Sequence, residues 1–366
     1  MTVLPAGAAL IAMMVPAGQV PVTVQREAPA TSCRVTDDRL VEISGLAVHG
    51  NGYVVVNDGA DEDSGRRIFF LDRRCKVTRA LKYPSRPQDT EDLARGTDGT
   101  LWVGDIGDND GERDSIGVWR LAPGARTPQL FRMSYPDGAH DAEALLVAGD
   151  GTPIVITKDP FTAGVYVPDG PLNPKSTTRL RRAGAFGIPV TGTANPFGFR
   201  GRLVVTGAAT SPDGRRLAIR TYADAFEIDV AAPGTAAGVV EAISAGSPRR
   251  IELPDEPQGE SIAYTTDGTA LLTVSEVTGQ AGGDGVPLLR YPIPGAPQPS
   301  PSAAPATTSA APAATSAAPP DPAAAAAPAG RSGNRIPAGA IAAGLALALA
   351  ATAIAVVTAR RRRAGR

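Results

Sequence analysis

Three short acidic segments stand at matching places along this 366-residue chain: Asp89-Thr90-Glu91, Asp141-Ala142-Glu143 and Gln258-Gly259-Glu260. Each glutamate lies seven residues before an Asp-Gly pair, and Ser44 and Thr206 hold the same place before Asn51-Gly52 and Asp213-Gly214. Equivalent residues of superposable repeats form a ring, so Glu91, Glu143 and Glu260 are expected to face one small space. Carboxylates held together repel one another, and a cation, a set of donors or raised pKa values must keep them there. Ligands made only of oxygen suit calcium. The alternative is that each glutamate takes hydrogen bonds from a neighbouring unit's backbone amides and locks the ring.

A second polar ring follows, at the ends of the next strands: Asn57-Asp58, Gly104-Asp105, Lys158-Asp159, Arg220 and Ser275-Glu276. Its richest member is Gly104-Asp105-Ile106-Gly107-Asp108-Asn109-Asp110, whose glycines allow close backbone approach to an ion. The expected metal ligands are therefore Glu91, Glu143, Glu260, Asp89, Asp141, Asp105 and Asp108. Asp58 with Asp61, Glu62 and Asp63 offers another acidic run, for which a solvated turn is the simpler reading. Lys158 and Arg220, together with Glu143, are the catalytic candidates, because cations beside metal-held acids suit a phosphate or carboxylate ligand. Ion pairing with those acids is the other reading. Two histidines, His49 and His140, and no Gly-x-Ser-x-Gly leave a serine hydrolase without support. The chain also has no zinc-type cluster, phosphate loop or dinucleotide fingerprint.

The elements that position these residues recur five times. Each copy is an apolar strand, an Asp-Gly or Asn-Gly turn read as a two-residue hairpin, and a second strand such as Val54-Val55-Val56 or Leu101-Trp102-Val103. The turns are 47, 52, 63 and 54 residues apart, a period of propeller blades. The fold expected is an all-β β-propeller of five blades. Six is the alternative count, with Arg202 to Val205 as a spare strand in the longest spacing. The last unit is short, so the strand around Ser32 to Val35 is expected to complete its sheet and close the ring without an exposed edge. Trp102 and Trp119 fall at strand positions and read as core.

The chain ends say where such a domain works. Residues 1–30 form a signal-like segment, apolar from Val3 to Val15 but without a basic start. Residues 31–293 are the propeller, and 294–335 are a Pro/Ala/Ser/Thr-rich linker that cannot bury a core. Residues 336–359 carry no charge over a length that crosses a bilayer as one helix, and 360–366 are an Arg-rich tail. Arginines beside a span mark the cytoplasmic side, which puts the propeller outside a cell membrane that the chain crosses once. In an exported chain the lone pair Cys33 and Cys75 reads as a disulfide tying the closing strand to the first blade, with two free thiols as the alternative. Acids number 37 and Lys plus Arg 36, but many arginines lie after residue 330. The exported part is therefore acidic and nucleic acid is excluded as a partner.

The repeated Asp-x-Glu, the Asp-Gly turns and the Gly104 to Asp110 loop resemble the phytase-like (esterase-like) propeller group. The layout is similar to that of membrane-anchored propellers of high-GC Gram-positive bacteria. That resemblance implies calcium ions bridging acids and phosphates, with Glu91, Glu143 and Glu260 as inner-strand acids and Asp105 and Asp108 as metal-loop acids. The chain departs from the pattern at Asp92 and Ala144, where glycine follows the glutamate in those enzymes. Two functions are expected from these readings. The first is an extracytoplasmic binding or scaffold module, calcium-binding, for an envelope protein, glycan or small anionic ligand. The alternative is a calcium-dependent phosphoesterase.

Overall fold

The computed structural model describes residues 28–60, 62–276 and 285–294. The signal-like segment up to residue 27, Asp61, the linker beyond residue 294, the 336–359 run and the arginine tail lie outside the described residues. Among the described residues no helix is long and apolar enough to cross a membrane.

The described chain is β-structure apart from one helix and one 3-10 turn. Strand β1 (Ala30–Val35) precedes a first antiparallel meander of β2 (Ile43–His49), β3 (Gly52–Asn57), β4 (Arg67–Leu71) and β5 (Val77–Lys82). A second meander comprises β6 (Thr90–Arg95), β7 (Leu101–Asp105), β8 (Ile116–Leu121) and β9 (Gln129–Ser134). The third holds β10 (Ala142–Val147), β11 (Pro153–Thr157), β12 (Thr162–Pro168) and β13 (Thr178–Gly187). The second and third merge into one eight-stranded sheet through a short parallel contact in which Thr178 meets Met133 and Arg179 meets Ser134. The fourth consists of β14 (Gly207–Thr210), β15 (Arg216–Arg220), β16 (Asp224–Asp229) and β17 (Arg249–Glu252), with helix α1 (Ala236–Ala245) between its last two strands. Strands β18 (Gly259–Tyr264), β19 (Ala270–Ser275) and β20 (Val286–Pro292) form the last sheet, which β1 completes by pairing with β20.

The first strands of the meanders pack in a cycle: β2 on β6, β6 on β10, β10 on β14, β14 on β18, and β18 back on β2. A separate apolar layer fills each junction of this propeller-like ring. Phe70 and Trp119 meet in the first, Trp102 and Tyr166 in the second, and Phe186, Phe226 and Val240 of α1 in the third. Ile251 and Tyr291 share the fourth, and Phe69 and Leu288 the fifth. Trp102 and Trp119 are thus core. The closure is also covalent, because Cys33 of β1 is bonded to Cys75 just after β4, with Cα atoms 5.8 Å apart.

Three local expectations change. In the first hairpin His49 pairs with Gly52, so the turn residues are Gly50 and Asn51, with Gly50 at φ +56°. The other four repeats turn through five residues, not two. Their aspartates act through the side chain: Asp98, Asp150, Asp213 and Asp267 each accept the amide two residues on, and the glycine between takes a positive φ. Arg202 to Val205 is not a strand, because Arg200–Arg202 closes a 3-10 turn instead; β13 and the loop after it fill the long spacing.

Candidate functional site

All five first strands begin at one end of the ring, where their backbone is not regular. Ile43 pairs with Asn57 and Gly45 with Val56, so Ser44 is the extra residue of a β-bulge. Glu91, Glu143 and Glu260 occupy the same extra position in β6, β10 and β18. A bulge re-aims the side chain of its extra residue. The device repeats in four units and turns three glutamates toward one another. In the fourth unit Thr206 precedes the strand instead, and its hydroxyl donates to the Gly259 carbonyl at 2.9 Å.

The carboxylates do converge. Asp58, Asp89 and Glu91 each offer an oxygen within 4.8 Å of the others'. Glu91, Glu143 and Glu260 are all buried, and Glu91 Oε1, Glu143 Oε2 and Glu260 Oε2 have no hydrogen-bond partner. Gly107 is packed so closely that a Cβ there would run into Glu91 Oε1 and the Asp89 carboxylate, so any larger residue would displace those two acids. Glu260 Oε1 accepts from the Tyr222 hydroxyl at 3.1 Å and Gln258 Nε2 at 3.2 Å, and Gln258 also donates to Glu276. Lys158 Nζ is bonded to Glu143.

These surroundings hold protons on the acids. Burial, then Asp89, Glu260 and Glu143, push the Asp58 carboxyl up to about 9. Burial and the other carboxylates raise Glu91 well above its ordinary range. Glu143 rises to about 8 through burial and Glu260, against Lys158. Glu260 rises to about 8 through burial and Glu276, and Glu276 to about 7 through burial. Burial alone would lower Lys158, but Glu143 foremost among its neighbours leaves it above its ordinary value.

Asp92, one residue beyond Glu91, has a different task. Its carboxylate accepts the amides of Leu93 (2.8 Å), Leu145 (2.8 Å) and Ala208 (3.2 Å), joining the first strands of the second, third and fourth units. The interlocking role weighed for the glutamates therefore falls to Asp92. Burial raises its carboxyl to about 7, against those three amides.

Several expected site residues are used elsewhere. Asp105 accepts the amides of Gln88 and Asp89, pairs with Arg113 at 2.9 Å and lies 3.4 Å from Trp119 Nε1, so both its oxygens are engaged. Asp108 takes the amides of Glu112 and Arg113, and its own amide donates to Asp141. These two acids tie the 104–113 loop together and to residues 88, 89 and 141. Arg220 is wholly buried, paired to Glu256 at 2.9 Å and donating to the Ser261 carbonyl, so it presents nothing to a ligand. Asp58, Glu276, Gln258 and Tyr222 join the site instead. The second polar ring pointed to the first two, whereas Tyr222 lies in a loop with no sequence signal.

Beside this mouth is an apolar shelf. Phe161, Phe197 and Phe199 are 54%, 42% and 55% exposed. The Phe197 ring lies 4.3 Å from Tyr222, and Phe199 lies 6.5 Å from Phe161. Phe161 is held at φ +66°, a strained conformation for an aromatic residue.

No family description and no curated protein matches the chain. Among solved structures it is similar to a luciferin-regenerating enzyme (14% identity, TM-score 0.38, covering 69% of this chain and 77% of that one). It is also similar to the PQQ-bound aldose sugar dehydrogenase of Streptomyces coelicolor (11%, 0.37, 72% and 96%) and to virginiamycin B lyase of Staphylococcus aureus (13%, 0.32, 69% and 66%). With identities this low and TM-scores below 0.4, none of them bears on the chemistry of this chain.

Proposed function

We propose that this protein is a five-bladed propeller whose acid end is a calcium-dependent binding face, carried as a scaffold module outside a membrane that the chain spans once. The observation that carries the reading is the set of buried, unpartnered carboxylate oxygens on Glu91, Glu143 and Glu260 beside Asp58 and Asp89. Ionising these buried carboxyls without a partner is costly, and a hard cation relieves it. Asp58, Asp89 and Glu91 would hold the ion. The Phe161, Phe197 and Phe199 shelf supports binding over turnover, since exposed aromatic clusters mark contact surfaces. A small anionic ligand, a glycan or an envelope protein would reach the ion and the shelf together. Blade count follows from taking each meander as one blade, and membrane attachment rests on the uncharged 336–359 run and the arginines after it.

The test is calcium titration of the full-length chain. At a hundredfold excess over its dissociation constant, calcium should stabilise the fold by about 2.7 kcal/mol, reversed by chelation. The double substitution Glu91→Gln with Glu143→Gln should abolish the response. A melting temperature indifferent to calcium in the unaltered protein would reject the reading. The phosphoesterase alternative has one observation in its favour, a Lys158 side chain that is 21% exposed among the acids. Calcium-dependent release of phosphate from a phosphoester panel would establish it in place of the binding role.

A further inference from the structure

The opposite end of the ring is chemically unlike the first. There the closing residues of the five first strands surround a cavity of about 320 Å³. Leu46, Leu93, Ala94, Val147, Ala209 and Ala263 make an apolar floor and wall. Arg95 is the one charged residue lining it, and no carboxylate does. Arg95 is exposed and has no ion-pair partner among the described residues. Nearby, His49 has a buried Nδ1 without a partner, and burial, Arg95 and Arg79 all disfavour its protonated form. The turn aspartates Asp98 and Asp213 do not line the cavity; Asp98 accepts from the amide and hydroxyl of Thr100, and Asp213 from the Ser211 hydroxyl and the Arg215 amide.

A cavity of this size lies at the lower end of the range for small-molecule sites, which are mostly apolar with a few polar groups that fix orientation. Arg95 at the rim, beside the Gly99 turn, with apolar residues and the hydroxyls of Thr97, Thr210 and Ser211 lining the rest, suits a single anionic head on an apolar body, and a guanidinium matches a carboxylate well. We propose that this mouth binds a small apolar carboxylate, its chain on the floor between Leu46 and Ala263 and its head on Arg95. At about 30 Å³ for each water-sized group, the cavity holds about ten such groups, the size of octanoate. The site is separate from the acid end and does not depend on calcium there.

The experiment is calorimetric titration of the full-length chain in a membrane mimetic, with the protein-free mimetic as blank, using octanoate, octanol and octylamine as probes. Octanoate should bind saturably at one site, about two- to fivefold more tightly than octanol, the range for an exposed ion pair, with octylamine weakest. Arg95→Gln should bring octanoate down to the affinity of octanol. Ala209→Trp should fill the cavity and remove binding of both, with Val147→Trp as a second blocking variant should the first not fold. Octylamine binding as tightly as octanoate, or an Arg95→Gln variant that keeps the preference, would overturn the proposal. So would octanoate binding that survives in a folded blocking variant, or self-association of the chain that covers this mouth and resists octanoate.

Discussion

Asp92 shows how one side chain differs in kind from its neighbours in an acidic site. Glu91, beside it, is aimed by a bulge into the acid end, where its Oε1 meets no donor, whereas Asp92 points into the ring wall and meets three amides from three units. A buried donor deprived of its acceptor loses about 1–3 kcal/mol. Asp92→Ala strips three amides at once and is expected to destabilise the fold by roughly 3 kcal/mol or more, read as a lower urea midpoint. Asp92→Asn, which keeps one acceptor, should cost less. An Asp92→Ala variant as stable as the parent would show that the three strands are joined by packing alone.

At the scale of elements, the closing strand carries the most risk. β1 is far in sequence from the β20 it pairs with, and it holds the last sheet against the first through Val35 and the Cys33–Cys75 bond. The bond spans 42 residues of chain. Cross-links over loops of this order stabilise by about 2–4 kcal/mol. Cys33→Ser with Cys75→Ser should lower stability by that amount, and hydrogen exchange should quicken first in β1 and β20. Faster exchange spread evenly over every sheet would mean that the ring opens as a whole and not at this seam. Helix α1 shows a similar economy: Thr235 caps its start by accepting the Gly238 amide at 3.2 Å, and Asp150 of the preceding unit's turn accepts that of Ala236.

Across the whole molecule, the acid end links stability to pH. Free carboxyls titrate near 4 in an unfolded chain. Here Asp58 is raised to about 9, Glu143 and Glu260 to about 8, and Glu276 and Asp92 to about 7. Between those limits the folded chain holds more protons than the unfolded one, so stability must fall as pH rises. In chelator, the melting temperature should therefore decline from about pH 5 to pH 9. Calcium should oppose the decline increasingly toward high pH, because it binds the ionised carboxylates. A chelated protein that gains stability between pH 5 and pH 8 would contradict both the burial and the mutual repulsion of these groups.

Much of this was legible in the sequence. Apolar strand runs, the glutamates seven residues ahead of three of the Asp-Gly turns and the lone cysteine pair all rest on local pattern, and a repeat superposes its equivalent residues wherever the chain goes. The all-β ring, the closing strand, the disulfide and the convergence of Glu91, Glu143 and Glu260 followed from that. What local pattern leaves open is which partner each polar group meets, because that depends on residues far away in the chain. That Asp105 meets Arg113 and Asp108 meets backbone amides is set by the folded loop and not by its acidic pattern. For Arg220 the sequence leaves ligand binding and ion pairing equally open, and Glu256 decides for the ion pair. Asp92 read as a departure from a motif, and only the meeting of three strands made it a pin. Tyr222 entered the site by contact with Glu260 alone. Hydrophobic periodicity is a property of the chain, whereas the satisfaction of buried charge belongs to the assembled fold.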